Sequence, residues 1–297
     1  MNPSFDDLFQ QWGDGCRAIR GLTRLFVVGA AKSGTTWVMN LLNGHPEIVV
    51  RGEGCFTYQL APMLAQAFGA FNQHQKAIDP ITHLRDLDLQ LVLRTIIDSQ
   101  FARYVAESDK SLSRLRVVGD KTPQHAVSVP ALNQLCPTAR FIHIIRDPRD
   151  VATSAWFHMG QHDPRPFEAF VEHFITQVWP INVGHARQAA GALGDRYMEI
   201  RYEDLHGDER RHVEQMLGFL GADASEAAIE ACLASGDFTR RSGGRSRGQT
   251  DAGSFYRTGT AGDWRNHLPP ELVETCCQTV AGLMTACGYD PAGAAVA

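Results

Sequence analysis

The chain has 297 residues, 44% of them hydrophobic and 21% charged, with a net charge of −5. That length buries a full core and allows one or two domains, and the composition is that of a globular enzyme. The acidic balance argues against a general nucleic-acid or membrane-surface binder. The longest apolar runs are too short to span a bilayer, and the acidic opening MNPSFDDLFQQWGDG does not resemble a secretory signal. Seven cysteines without CxxC spacing favour idle thiols in a reducing cytoplasm over disulfides or zinc.

The most informative stretch is LFVVGAAKSGTTWVMNLLNGH, residues 25–45. Leu25 to Val28 is a short apolar, β-branched run, Gly29 to Gly34 a glycine-bounded turn, and Trp37, Val38, Leu41 and Leu42 fall on one helix face stopped by Gly44 and Pro46. Strand, tight turn and helix N-terminus make a cradle for phosphate. A nucleotide-hydrolysing loop reads GxxxxGK[ST], whereas here Thr35 takes the lysine position and the only cation, Lys32, lies inside the loop. The displaced charge argues against an ATP-hydrolysing enzyme. The spacing alone leaves phosphate binding and an ordinary tight turn both open in a glycine-rich chain.

Four further strands are predicted: Glu47 to Arg51, Leu115 to Val118, Arg140 to Ile145 and Tyr197 to Ile200. Helical stripes run through Leu60, Met63, Leu64, Ala67, Phe68 and Phe71, and through Leu89, Leu93, Ile96, Ile97, Phe101, Tyr104 and Val105; core-facing roles are expected for most of these side chains. Asp147-Pro148 starts a helix continuing to His158, and further helices are expected over Phe167 to Trp179, Arg210 to Leu220, Ala224 to Ala234 and Pro270 to Cys287. Strands alternating with helices imply an α/β fold: one domain over residues 1–297, a parallel sheet of about five strands flanked by helices, with ligands beyond the carboxyl ends of the strands. Roughly residues 55–115 are expected to form a helical insert over an acceptor site. Residues 241–260, rich in Gly, Ser and Arg, are expected to form a flexible loop covering a cofactor.

Three motifs in order resemble those of sulfotransferases that use 3′-phosphoadenosine-5′-phosphosulfate (PAPS). AKSGTTW at 31–37 is similar to the family's 5′-phosphosulfate loop, IIRDPRDVATS at 144–154 to its 3′-phosphate motif, and FYRTGTAGDWRNHL at 255–268 to its late RKGxxGDWKNxF motif; RYEDL at 201–205 is a weaker fourth match. The resemblance implies a P-loop-like fold and a sulfuryl transfer that leaves 3′-phosphoadenosine 5′-phosphate (PAP), with no metal. It places Lys32, Ser33, Gly34, Thr35 and Thr36 around the 5′ end, Trp37 and Tyr202 beside the adenine, and Arg146, Ser154, Arg257, Thr258 and Gly259 around the 3′-phosphate. A core role for Trp37 and surface salt bridges for Arg146 and Arg257 stand as the plain alternatives. Ala31 replaces a frequent Pro, and Thr258 replaces a frequent Lys, which removes one phosphate cation.

Sulfuryl transfer needs the acceptor positioned, the leaving oxygen stabilised and a proton removed. Lys32 is the candidate for the leaving phosphate and Lys121 for the sulfuryl oxygens. For the base, two residues compete. The cytosolic branch uses a His in Lys-Thr-His, displaced here to His125 in Lys121-Thr122-Pro123-Gln124-His125; tyrosylprotein and heparan branches use a Glu after an HP pair, as in His45-Pro46 followed by Glu53. Glu53 is preferred. The acceptor is expected to be a hydroxyl on a phenol, natural product, sugar or peptide tyrosine. The rival readings are a small-molecule kinase using ATP and Mg²⁺, and a catalytically silent PAP-binding protein.

Overall fold

The computed structural model describes residues 3–75, 80–251, 254 and 256–292. The five expected strands are present as β1 (Thr23–Gly29), β2 (Ile48–Arg51), β3 (Val117–Lys121), β4 (Arg140–Ile145) and β5 (Tyr197–Arg201). All pair in parallel, in the order β2-β3-β1-β4-β5. The helices of the first half are α1 (Phe5–Ala18), α2 (Thr35–Asn43), α3 (Ala61–Gln75), α4 (Asp86–Ala106) and α5 (Val129–Leu135). Then come α6 (Pro148–Met159), α7 (Phe167–His173), α8 (Trp179–Leu193), α9 (Tyr202–Gly207) and α10 (Glu209–Leu220). The chain closes with α11 (Glu226–Gly236), α12 (Phe238–Arg241), α13 (Pro270–Thr279) and α14 (Ala281–Ala286).

Alternation along the central strand decides what each layer receives. Phe26 and Val28 pack with Ile97 and Phe101 of α4, Val129 and Leu132 of α5, and Ala186 of α8. Leu25 and Val27 meet Val38 and Leu41 of α2, Met216 and Leu217 of α10, and Ile229 of α11. Both sheet faces are therefore covered, which is why the strands read as almost continuous apolar runs. A third cluster joins Ile145 to α6, α7, α8, α13 and α14 around the fully buried Trp179.

Several sequence expectations need correction. β3 runs two residues later than expected at its start and takes in Gly119, Asp120 and Lys121. The strand continues because Gly119 lets β1 approach: a Cβ there would lie 2.7 Å from the Leu25 carbonyl oxygen. The stripe running into α3 is a core face only in part, with Leu60 and Leu64 packed against the first cluster. None of its residues is fully buried, and Met63 and Phe71 are 66% and 41% exposed. Apolar periodicity identified that helix but could not say what covers it. The helix expected over Phe167 to Trp179 is α7 followed by a wide π turn at Phe174–Val178, after which the unexpected α8 begins. Pro270 to Cys287 is two helices, parted at Val280. The opening segment forms the exposed amphipathic α1, capped by Ser4 and Asp7. Phe255 lies outside the described residues. No helix among the described residues is long and apolar enough to cross a membrane.

Candidate active site

Strand order reverses at β1, which has β3 on one side and β4 on the other, so the segments leaving these strands converge beyond their carboxyl ends. The first is the turn from β1 into α2. Lys32 and Gly34 both adopt positive φ, 72° and 102°. At Gly34 a side chain is excluded twice, by that φ and by Tyr202, whose Cδ2 would lie 2.7 Å from a Cβ. Gly34 is the N-cap of α2 and offers no side-chain cap; Trp37 N–H donates to its carbonyl at 2.9 Å, which leaves the N–H groups of Thr35 and Thr36 and the positive end of the helix dipole for another partner. Ser33 Oγ is buried without a hydrogen-bond partner. Burial, then the guanidinium groups of Arg146 and Arg257 and the Lys121 ammonium, push Lys32 down to about 8, with Glu53 opposing.

Arg146 follows β4 directly. It is buried, donates through Nη2 to the Thr260 carbonyl at 2.9 Å and through Nη1 to the Lys32 carbonyl at 3.3 Å, and lies 4.2 Å over the Tyr202 ring. Its Nε has no partner. Asp147 then caps α6, accepting from Arg149 N at 2.9 Å, and the helix carries Ser154 two turns on to the cavity wall. Arg257 is paired with Asp263 and stacked 4.6 Å over Phe157, yet its Nε and Nη1 are buried without partners. Thr258 is buried, and Gly259 has a φ of 66°.

The loop before Arg257 is not a plain solvated one. Arg245 gathers it by donating to the carbonyls of Gln249, Tyr256 and Arg257 at 3.0, 2.7 and 2.9 Å. Arg247 lies 4.9 Å over the Trp37 ring, forms an ion pair with Glu209 and lies 5.7 Å over Phe238. Sequence reasoning missed Arg245, Arg247 and Phe238, because an arginine in a Gly/Ser-rich stretch looks solvated until the chain returns over the sheet edge.

These groups surround a cavity of about 260 Å³. Of the residues nominated from sequence, Lys32, Gly34, Thr35, Thr36, Trp37, Glu53, Arg146, Ser154, Tyr202, Arg257, Thr258 and Gly259 line it. Ser33 is buried behind the turn. Lys121 reaches the cavity through Glu53, its Nζ donating to Oε1 at 2.6 Å, while the Glu53 side chain remains 43% exposed. His125 does not line the cavity. It is fully buried and stacked 5.8 Å from Phe56; neither ring nitrogen makes a hydrogen bond, although Nδ1 lies 3.6 Å from Asp120 Oδ1, and burial pushes the imidazole down to about 3. Two further wall residues, His158 and Met159, carried no sequence signal. The described residues contain no group of three or more His, Cys, Asp or Glu placed to hold a metal ion.

The sequence model described as "Sulfotransferase family" matches residues 24–226. Cytosolic sulfotransferase 10 of Arabidopsis thaliana is 24% identical over 278 residues, covering 85% of this chain and 75% of that protein. Sulfotransferase 1E1 of Mus musculus is 26% identical over 151 residues, covering 46% of this chain and 51% of that protein. In fold, the chain is similar to mouse sulfotransferase SULT7A1 complexed with PAP (TM-score 0.56, 18% identity, 88% of this chain and 84% of that one). It is also similar to the sulfotransferase domain of the Synechococcus PCC 7002 olefin synthase (TM-score 0.55, 20% identity, 91% and 96%). The family match spans both the first cradle and the Arg146 strand end, so the chain belongs to the sulfotransferase family and is an enzyme of sulfuryl transfer.

Proposed function

We propose that this sulfotransferase draws its sulfuryl group from PAPS and delivers it to the hydroxyl of a small-molecule acceptor, with Glu53 as the base. One observation carries the reading. Two arginines that line one cavity keep donors with no hydrogen-bond partner, Arg146 Nε and Arg257 Nε and Nη1, and the depressed Lys32 lines it with them. Such a cluster suits a ligand with anionic groups at two positions. The turn residues Lys32 to Thr36 would hold the 5′ end, Arg146, Ser154 and Arg257 the 3′-phosphate, and Trp37 and Tyr202 the base. PAPS supplies an activated sulfuryl group when bound.

The protein's own part is positional and electrostatic. Lys32 and the N–H groups opening α2 stabilise charge on the leaving phosphate. Lys121, whose Nζ donates to Glu53 Oε1, would steady the sulfuryl oxygens. The other carboxylate oxygen, Oε2, is the one we assign to the acceptor proton. Pro123, Gln124, His158 and Met159 share the wall with Glu53 and would frame the acceptor. The helices α3 and α4 would bound its entry. Seven free cysteines support a cytoplasmic setting.

Calorimetry with PAP and with AMP tests the reading, together with PAPS turnover on a panel of hydroxylated acceptors. PAP should bind at least tenfold more tightly than AMP, and Glu53→Gln should lower turnover roughly 10²-fold or more while PAP affinity holds. Equal affinity for the two nucleotides would remove the 3′-phosphate cradle. PAP binding without turnover of any acceptor would favour a silent nucleotide-binding protein.

A further inference from the structure

Asp120 is a fully buried carboxylate next to Lys121 that nothing in the reaction uses directly. Alternation in β3 sends Lys121 toward Glu53 and Asp120 to the opposite face, under α4. Four hydrogen bonds meet there. Gly54 N–H donates to Asp120 Oδ2 at 2.8 Å, and Tyr104 of α4 donates to the same oxygen at 3.4 Å. Thr122 Oγ1 donates to Asp120 Oδ1 at 2.6 Å and itself accepts from Cys55 N–H at 3.3 Å. The backbone of Gly54 and Cys55, immediately after Glu53, is therefore gripped by the two residues that flank Lys121.

We propose that Asp120 is a positioning residue: with Thr122 it clamps the backbone that carries Glu53 to the end of β3, so that Glu53 and Lys121 meet in one fixed geometry. The proposal rests on Glu53 being the base. Glu53 sits in a glycine-flanked turn with a half-exposed side chain, so its placement depends on what holds the backbone beside it. The clamp is available at neutral pH. Burial raises the Asp120 carboxyl to about 6, against the lowering effect of the bonds from Thr122 and Gly54 and of the Lys121 ammonium. His125, held neutral by burial, faces it with Nδ1 3.6 Å from Oδ1. Near pH 7 the carboxylate is therefore the main form and accepts from both. A fixed strand end is also a better platform than a loop for a group that must be correctly placed to within a fraction of an ångström.

A double-mutant cycle in the full-length enzyme tests this. Asp120→Ala should lower kcat roughly 10–100-fold in the wild-type background, with PAP affinity changed less than about twofold. In a Glu53→Gln background the same change should lower kcat no further, because the group it positions is already disabled. Asp120→Asn, which keeps an acceptor oxygen for Gly54, should restore most of the lost turnover. Thr122→Val should give a smaller loss with the same dependence on Glu53, and it covers the case in which Asp120→Ala does not fold. Equal proportional losses in both backgrounds, or weakened PAP binding at unchanged kcat, would overturn the positioning role and leave the base assignment standing. Unchanged turnover in Glu53→Gln alone would overturn both.

Discussion

Replacing Lys32 with methionine should stabilise the protein and at the same time cripple nucleotide capture. Burial and three neighbouring cations bring its ammonium from 10.5 down to about 8, a difference worth at most about 3.5 kcal/mol at ~1.4 kcal/mol per unit. The side chain is only partly buried, so solvent screening reduces this to about 1–2 kcal/mol. The sign follows from proton linkage. Between about pH 8 and pH 10.5 the unfolded chain keeps a proton that the folded one has lost, so wild-type stability rises with pH through that window. Methionine lacks the titration, so its advantage is full below about pH 8 and fades toward pH 10.5. Because Lys and Met are equally unsuited to a φ of 72°, backbone strain cancels. Urea unfolding at about pH 7 and about pH 9.5 reads the difference, and PAP calorimetry should show roughly a 10–150-fold loss for one charged hydrogen bond. A variant less stable than wild type at neutral pH, or an advantage of the same size at both, would refute the account.

Two other outcomes are expected. Arg257→Met should reduce the preference for PAP over AMP while leaving AMP affinity within about twofold, since the unpartnered Nε and Nη1 are assigned to the 3′-phosphate; equal losses for both nucleotides would show that Arg257 only braces the loop. His125→Leu should keep turnover within a few-fold, because His125 is sealed under Phe56, held neutral by burial, and approaches Asp120 at 3.6 Å without a hydrogen bond. A 100-fold loss of kcat in a folded His125→Leu enzyme would return that residue to contention as the base.

The sequence by itself determined the parts whose chemistry is local. Leu25 to Val28 is strand-forming because it is apolar and short, and the turn to Gly34 needs glycine where φ is positive; both are visible in neighbouring letters. The resemblance of three motifs to those of sulfotransferases picked out residues that line the cavity, Arg146 and Arg257 included. What only the tertiary structure decided depends on contacts between distant segments. Asp120 lies beyond the strand expected at Leu115 to Val118, and the packing of Gly119 on β1 draws it into β3, beneath Tyr104 and beside a turn 66 residues earlier in the chain. The stripe running into α3 had the period of a core helix, yet only Leu60 and Leu64 found the core while Met63 and Phe71 stayed exposed. Arg247 reached Trp37 only because the segment after α12 folds back over the sheet edge. Periodicity and spacing report which face of an element is apolar and which side chains travel together. They carry no information about which distant segment arrives to bury a carboxylate or set a guanidinium over an aromatic ring.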